Sequence, residues 1–230
     1  MFHWLEKRPF YLGVLIFVFV AYAGVVTILP GFADMARPTV GTKPYSLLEL
    51  AGRHVYIKES CNSCHSQLIR PFKSETDRYG MYSLSGEYAY DRPFLWGSKR
   101  TGPDLMRVGK YRTTDWHENH MLNPESVVPG SIMPAYSHQF KNLANIETAY
   151  AEAVTVKEVF AVPYNKPLIQ KDGSMETVKL ASSLDEAKAD ALAEAKVVVK
   201  DMKNKDVISA VGRGDIPEIV AIIAYMNSLK

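Results

Sequence analysis

Cysteine is nearly absent from this chain, with two in 230 residues, so no disulfide framework can staple the fold. Charge of one sign is also missing. The formal net charge is +2, acids and bases are interspersed, and no long basic block offers an electrostatic footprint for nucleic acid. No internal repeat is visible, which argues against a solenoid or propeller. With no second cysteine pair and no suitable His/Met cluster, the chain offers no copper site of its own.

What is present is concentrated. Both cysteines fall in one short string, Cys61-Asn62-Ser63-Cys64-His65. C-x-x-C-H is the attachment signature of a covalently bound haem. Two thiols three residues apart in one helical turn face the same way and can each add to a vinyl group of one porphyrin. His65 then sits under the iron as an axial ligand. Two rival readings are weaker. A redox dithiol wants a βαβ pattern, which the sequence lacks. A structural zinc site wants a second ligand pair, and although His117 and His120 could supply one, adjacent Cys64 and His65 suit tetrahedral geometry poorly.

The sixth iron ligand is a choice among nine methionines and the other histidines. Met133 is favoured, in the string Ser131-Ile132-Met133-Pro134, because a proline-flanked loop can hold a thioether rigidly against iron. A methionine more often fills core space. His117, His120 and His138 remain rivals.

Phe10 to Leu29 is a run of 20 residues without a charge. As a helix it spans about 30 Å, the thickness of a bilayer core. Pro30-Gly31 is expected to close it. A cleaved signal peptide is the main competitor, since Ala21-Tyr22-Ala23 resembles a cleavage site. The apolar run continues past it through Val25, Val26, Ile28 and Leu29, which favours an uncleaved anchor.

The expected organisation is a short N-terminal segment (1–9), a transmembrane anchor (10–29), a linker (30–44) and one mainly α domain (45–230). Ser46 and Glu49 form a capping-box pattern ahead of a helix that delivers Cys61. Residues 66–110 read as ordered loops, with room for short helices. Further helices are expected from Thr113–Asp115 to Leu122, over Ile146–Phe160, from Ser183 to about Lys203, and over Ile216–Leu229. The Lys-, Asp- and Ala-rich stretch 165–215 reads as a solvated helical insertion.

Several strings together resemble a known family. Gly52, Tyr56 and the haem motif resemble the start of a class I cytochrome c domain. Gly102-Pro103-Asp104-Leu105 resembles its G-P-x-L loop, whose proline packs near the proximal histidine. Ser131-Ile132-Met133-Pro134 resembles its methionine loop, and Ile216–Leu229 its terminal helix. The longer strings Gln67–Phe72 and Tyr90–Leu105, with Trp116-His117 and Val127–Pro129, look like the mono-haem cytochrome c subunit of cbb3-type cytochrome c oxidases. This resemblance covers residues 1–164 and the terminal helix.

The resemblance implies one covalent haem c, held by Cys61 and Cys64, with His65 and Met133 as axial ligands. Pro103 and Arg100 are implied near the cofactor; Arg92, Lys99 and Tyr90 are further candidates for propionate or partner contact. It implies an electron-transfer role within a proton-translocating oxidase, between a di-haem cytochrome c subunit and a haem–copper catalytic subunit where oxygen is reduced. It also implies a single-pass protein of the bacterial inner membrane, with a cytoplasmic N-terminus and a periplasmic haem domain. The alternatives are the haem c subunit of a nitric oxide reductase, a haem-based gas sensor, and a soluble shuttle released by cleavage at Ala23.

Overall fold

The computed structural model describes residues 2–33, 37–97 and 99–229. Part of the expected linker (34–36) and Ser98 of the Tyr90–Leu105 string therefore lie outside the described residues. The chain divides into two compact units, residues 1–36 and 37–230.

The first unit is helical. A short α1 (Phe2–Glu6) leads into α2 (Pro9–Ala33). Residues Pro9–Leu29 of α2 are long and apolar enough to cross a membrane. Large apolar side chains such as Phe10, Phe17 and Phe19 stand uncovered on it. In water that exposure would be unfavourable, and lipid removes the penalty. Pro30-Gly31 does not close the helix, which runs on to Ala33. A proline in the last turns removes one backbone N–H, a loss that a helix of this length tolerates.

The second unit is built around two crossing helices, α3 (Leu47–Lys58) and α10 (Glu218–Ser228). α3 starts where the capping box places it. The Ser46 hydroxyl accepts from Glu49 N at 3.2 Å, and the Glu49 carboxylate accepts from Ser46 N at 2.8 Å. α10 is apolar nearly all round and is buried on every side, with Ile219, Val220, Ile222 and Ile223 fully enclosed. Each such side chain contributes about 1.5–3 kcal/mol of burial free energy.

Between them run α4 (Lys73–Tyr79), α5 (Thr114–Leu122), α6 (Pro124–Val127), α7 (Ile146–Val159), α8 (Leu184–Val198) and α9 (Lys205–Arg213). A two-stranded antiparallel hairpin, β1 (Pro167–Ile169) and β2 (Met175–Thr177), was not anticipated from the sequence. Pro124 does not merely stop α5; it opens α6 at a first-turn position where its missing N–H costs nothing.

The expectation for 165–215 needs correction. α8 buries Ala187, Ala191 and Ala195 against α3, α7 and α10. α9 buries Val207 and Val211 in the same core. These helices complete the core instead of hanging from it as a solvated insertion. The helix expected from Ser183 to about Lys203 is α8 continued by a 3-10 turn over Val199–Asp201, and α9 follows as a further helix beyond it. Residues 37–44 also dock on this unit: Thr39 N donates to Gly86 O at 3.1 Å and Gly41 N to Ile169 O at 3.3 Å.

Candidate haem-attachment site

α3 ends at Lys58 with Glu59 as its C-cap, and Ser60 adopts a left-handed conformation (φ 55°) that turns the chain sharply. Cys61–Ser63 follow as a 3-10 turn. Cys64 N and His65 N both donate to Cys61 O, at 3.2 and 2.8 Å. The whole motif is thus one tight helical turn pinned to the end of the core helix. Cys61 is buried and Cys64 exposed. Burial pushes the Cys61 thiol up to about 12, so it is not poised as a free reactive thiolate.

The segment 102–105 runs beside the motif. Gly102 N donates to Cys64 O at 3.0 Å, and Leu105 N to Ser66 O at 2.8 Å. Between these two bonds lies the His65 ring, with Nδ1 2.9 Å from the Pro103 carbonyl. That carbonyl can only accept, so Nδ1 carries the proton and Nε2 keeps its lone pair for a metal. Burial lowers the His65 pKa, with Pro103 opposing, which favours the neutral ring a metal requires. The Tyr56 hydroxyl donates to His65 O at 3.1 Å and anchors the backbone of that residue to α3.

Gly102 leaves room for this ring. A Cβ at position 102 would lie 2.7 Å from His65 Nδ1 and closer still to Cε1. The donor set, the ring orientation and this cleared face fit a haem whose iron takes His65 Nε2.

Met133 is half-buried and borders the same apolar core that Cys61 lines. Its loop is held at both ends. Ser131 N donates to Val128 O at 3.0 Å, Met133 N to Ser131 Oγ at 3.3 Å, and Tyr136 N to Met121 O at 2.8 Å. The rival histidines differ among themselves. His138 is a surface group paired with Glu59 at 3.0 Å. His117 is buried, and its pKa is pushed down to about 4 by burial, then by His120 and Arg112. Its Nε2 has no protein partner among the described residues.

Arg100 is drawn inward. Its Nε donates to Ser66 Oγ at 2.6 Å, and Nη2 donates to Leu68 O at 2.6 Å and to Glu75 at 2.8 Å. Arg92 lies over the Phe160 ring at 5.0 Å, Tyr90 packs against the core, and Lys99 is exposed. Sequence reasoning assigned no task to the Asp104 carboxylate or the Tyr56 hydroxyl; their only signal was their place inside the recognised strings. Among the described residues, the one convergent trio of ligand-type side chains is Glu59, His138 and Glu218. It contains neither cysteine, so the zinc alternative gains no support.

A family model described as cytochrome C oxidase, mono-heme subunit/FixO matches residues 2–230. The chain belongs to the FixO family. A search of curated proteins returned no match. The FixO match runs through 165–215, which corrects the narrower coverage expected from the short strings and agrees with the place of α8 and α9 in the core. Membership makes this chain a mono-haem subunit of a cytochrome c oxidase, working within a complex of several subunits. The apolar α2 of this FixO chain is a possible membrane anchor.

Proposed function

We propose that this subunit relays electrons, one at a time, from a di-haem cytochrome c subunit to the haem–copper catalytic subunit of a cbb3-type oxidase. Cys61 and Cys64 hold the haem through thioethers. His65 is the proximal ligand and Met133 the sixth. The cofactor supplies a ferric/ferrous couple, and methionine ligation raises its potential. The chain's own residues do the rest: Pro103 fixes the His65 tautomer, Gly102 clears its face, and the pinned 128–136 loop presents the thioether. Held from both sides by His65 and Met133, the haem would be closed to oxygen, so oxygen reduction and the proton translocation coupled to it belong to the partner.

α2 anchors the subunit in the bacterial inner membrane, with residues 1–9 cytoplasmic and the domain from residue 37 onward periplasmic, the side on which c-type haem is attached. The observation that carries this reading is the His65–Pro103 contact beside Gly102, which prepares one imidazole nitrogen for iron.

The test is the metal inventory of the complex isolated with this chain. Copper and b-type haem co-purifying with one covalent haem per copy of this subunit support the proposal. A partner containing non-haem iron and no copper would point to a nitric oxide reductase and end it. Rapid, stoichiometric carbon monoxide binding at this haem would show an open sixth position, as in a gas sensor.

A further inference from the structure

The Asp104 side chain is fully enclosed, and burying a carboxylate is costly unless donors surround it. Three do. Oδ2 accepts from the Ser66 hydroxyl at 2.7 Å and from Leu68 N at 2.8 Å, and Oδ1 accepts from Met106 N at 2.9 Å. Asp104 is the acceptor in every contact, as an ionised carboxylate would be. It thereby ties residues 66–68, which follow His65, to residues 104–106, which follow Pro103. The two ends of the His65–Pro103 hydrogen bond are clamped by one side chain.

The charge is only partly met. The Arg100 guanidinium lies 3.6 Å from Asp104 Oδ2, yet its hydrogen bonds go to Ser66, Leu68 and Glu75. Glu75 also takes Arg70 N at 2.8 Å and Arg70 Nε at 2.5 Å. The charges form a chain of contacts, Arg70–Glu75–Arg100–Asp104, from the exposed Arg70 to the enclosed Asp104, and it ends one residue from the carbonyl that holds His65.

We infer that Asp104 is the positioning residue of the proximal ligand, and that the Asp104–Arg100 pair sets the redox potential of the haem through charge as well as geometry. The inference rests on His65 being the axial ligand. An enclosed negative charge beside the ligand favours the ferric state, and Arg100 offsets it; at low local dielectric neither is well screened. The group that directly partners a metal-bound histidine's ring N–H orients that ring; here it is the Pro103 carbonyl, and Asp104 fixes the segments on either side of that contact.

The two charges give opposite signs. Asp104→Asn keeps the shape, removes the negative charge, and raises the midpoint potential. Arg100→Gln removes the offsetting cation and lowers it. Each should change the ferric-to-ferrous ratio about tenfold at the wild-type midpoint, which is about 59 mV for one electron. Potentiometric titration of the purified complex reads this directly. A covalent-haem assay on each denatured variant separates the possible failures. Haem that is not covalently bound in wild type would overturn the parent reading. Covalent haem with unmoved potentials, or with both potentials moved in the same direction, would overturn this inference. If Asp104→Asn does not retain haem, the direction of the Arg100→Gln shift decides: a fall supports the inference, and no change or a rise sinks it.

Discussion

The backbone of Ala221 on α10 passes against Gly52 on α3 so closely that a Cβ on Gly52 would overlap the Ala221 carbonyl oxygen and lie 2.9 Å from the Tyr225 Cβ. The two helices of the core meet at a point with no room for a side chain. Gly52→Ala should therefore push them apart and cost about 1–3 kcal/mol, the usual penalty of overpacking a tight core. Denaturant unfolding of the haem-loaded protein checks this, and an unchanged midpoint would mean that the crossing is looser than it looks.

Gly102→Ala attacks the site itself. The added methyl meets the His65 ring, so the imidazole must tilt or the loop must retreat. Haem attachment through Cys61 and Cys64 should survive, while the low-spin optical and paramagnetic resonance signatures change. Retention of the wild-type spectrum would show that His65 is not the ligand held there.

Met133→His should leave the covalent haem in place and lower its potential markedly, because imidazole favours the ferric state more than a thioether does. Redox titration and the near-infrared spectrum report the change. If both match wild type, a different residue occupies the sixth position, and His117 and His120 would be examined next.

Glu49 gives a pH dependence with a definite sign. Burial, then the charge of Glu194, raises its pKa from the ordinary 4.5 to about 7. The folded state binds this proton more tightly than the unfolded chain does. The stabilisation is therefore complete below the unfolded value and is lost as pH rises through about 7. The swing is on the order of 3 kcal/mol at most. Glu49→Gln, a neutral mimic, should remove most of that decline between pH 5 and pH 8 in urea unfolding. Parallel curves for the two proteins would refute the assignment.

The parts of this fold legible in the sequence are those where a few residues carry a strong local signal. Ser46 and Glu49 announce the start of α3, the uncharged run marks α2, and Ile216–Leu229 is apolar enough to declare itself buried. Cys61, Cys64 and His65 could be proposed from the spacing of C-x-x-C-H alone, whereas Met133 was singled out only by its proline-flanked loop and the resemblance. α8 was misread for a physical reason. Its buried face is alanine at positions 187, 191 and 195, small enough to pack closely but too weakly apolar to stand out among Lys, Asp and Glu.

Other features depend on partners far along the chain. α9 begins where the Glu118 carboxylate accepts from Lys203 N and Asn204 N, both at 2.7 Å, a stop and start signal supplied from 85 and 86 residues away. The Asp104 clamp is of the same kind: nothing in Gly-Pro-Asp-Leu says that the aspartate closes back on Ser66 and Leu68.

The most direct measurement is to unfold the native protein and extract it with acidified organic solvent. Thioethers at Cys61 and Cys64 predict that the colour stays with the polypeptide, and that Cys61→Ala or Cys64→Ala weakens that retention. Release of all the colour into the organic phase would contradict the tether, and with it the site described around His65.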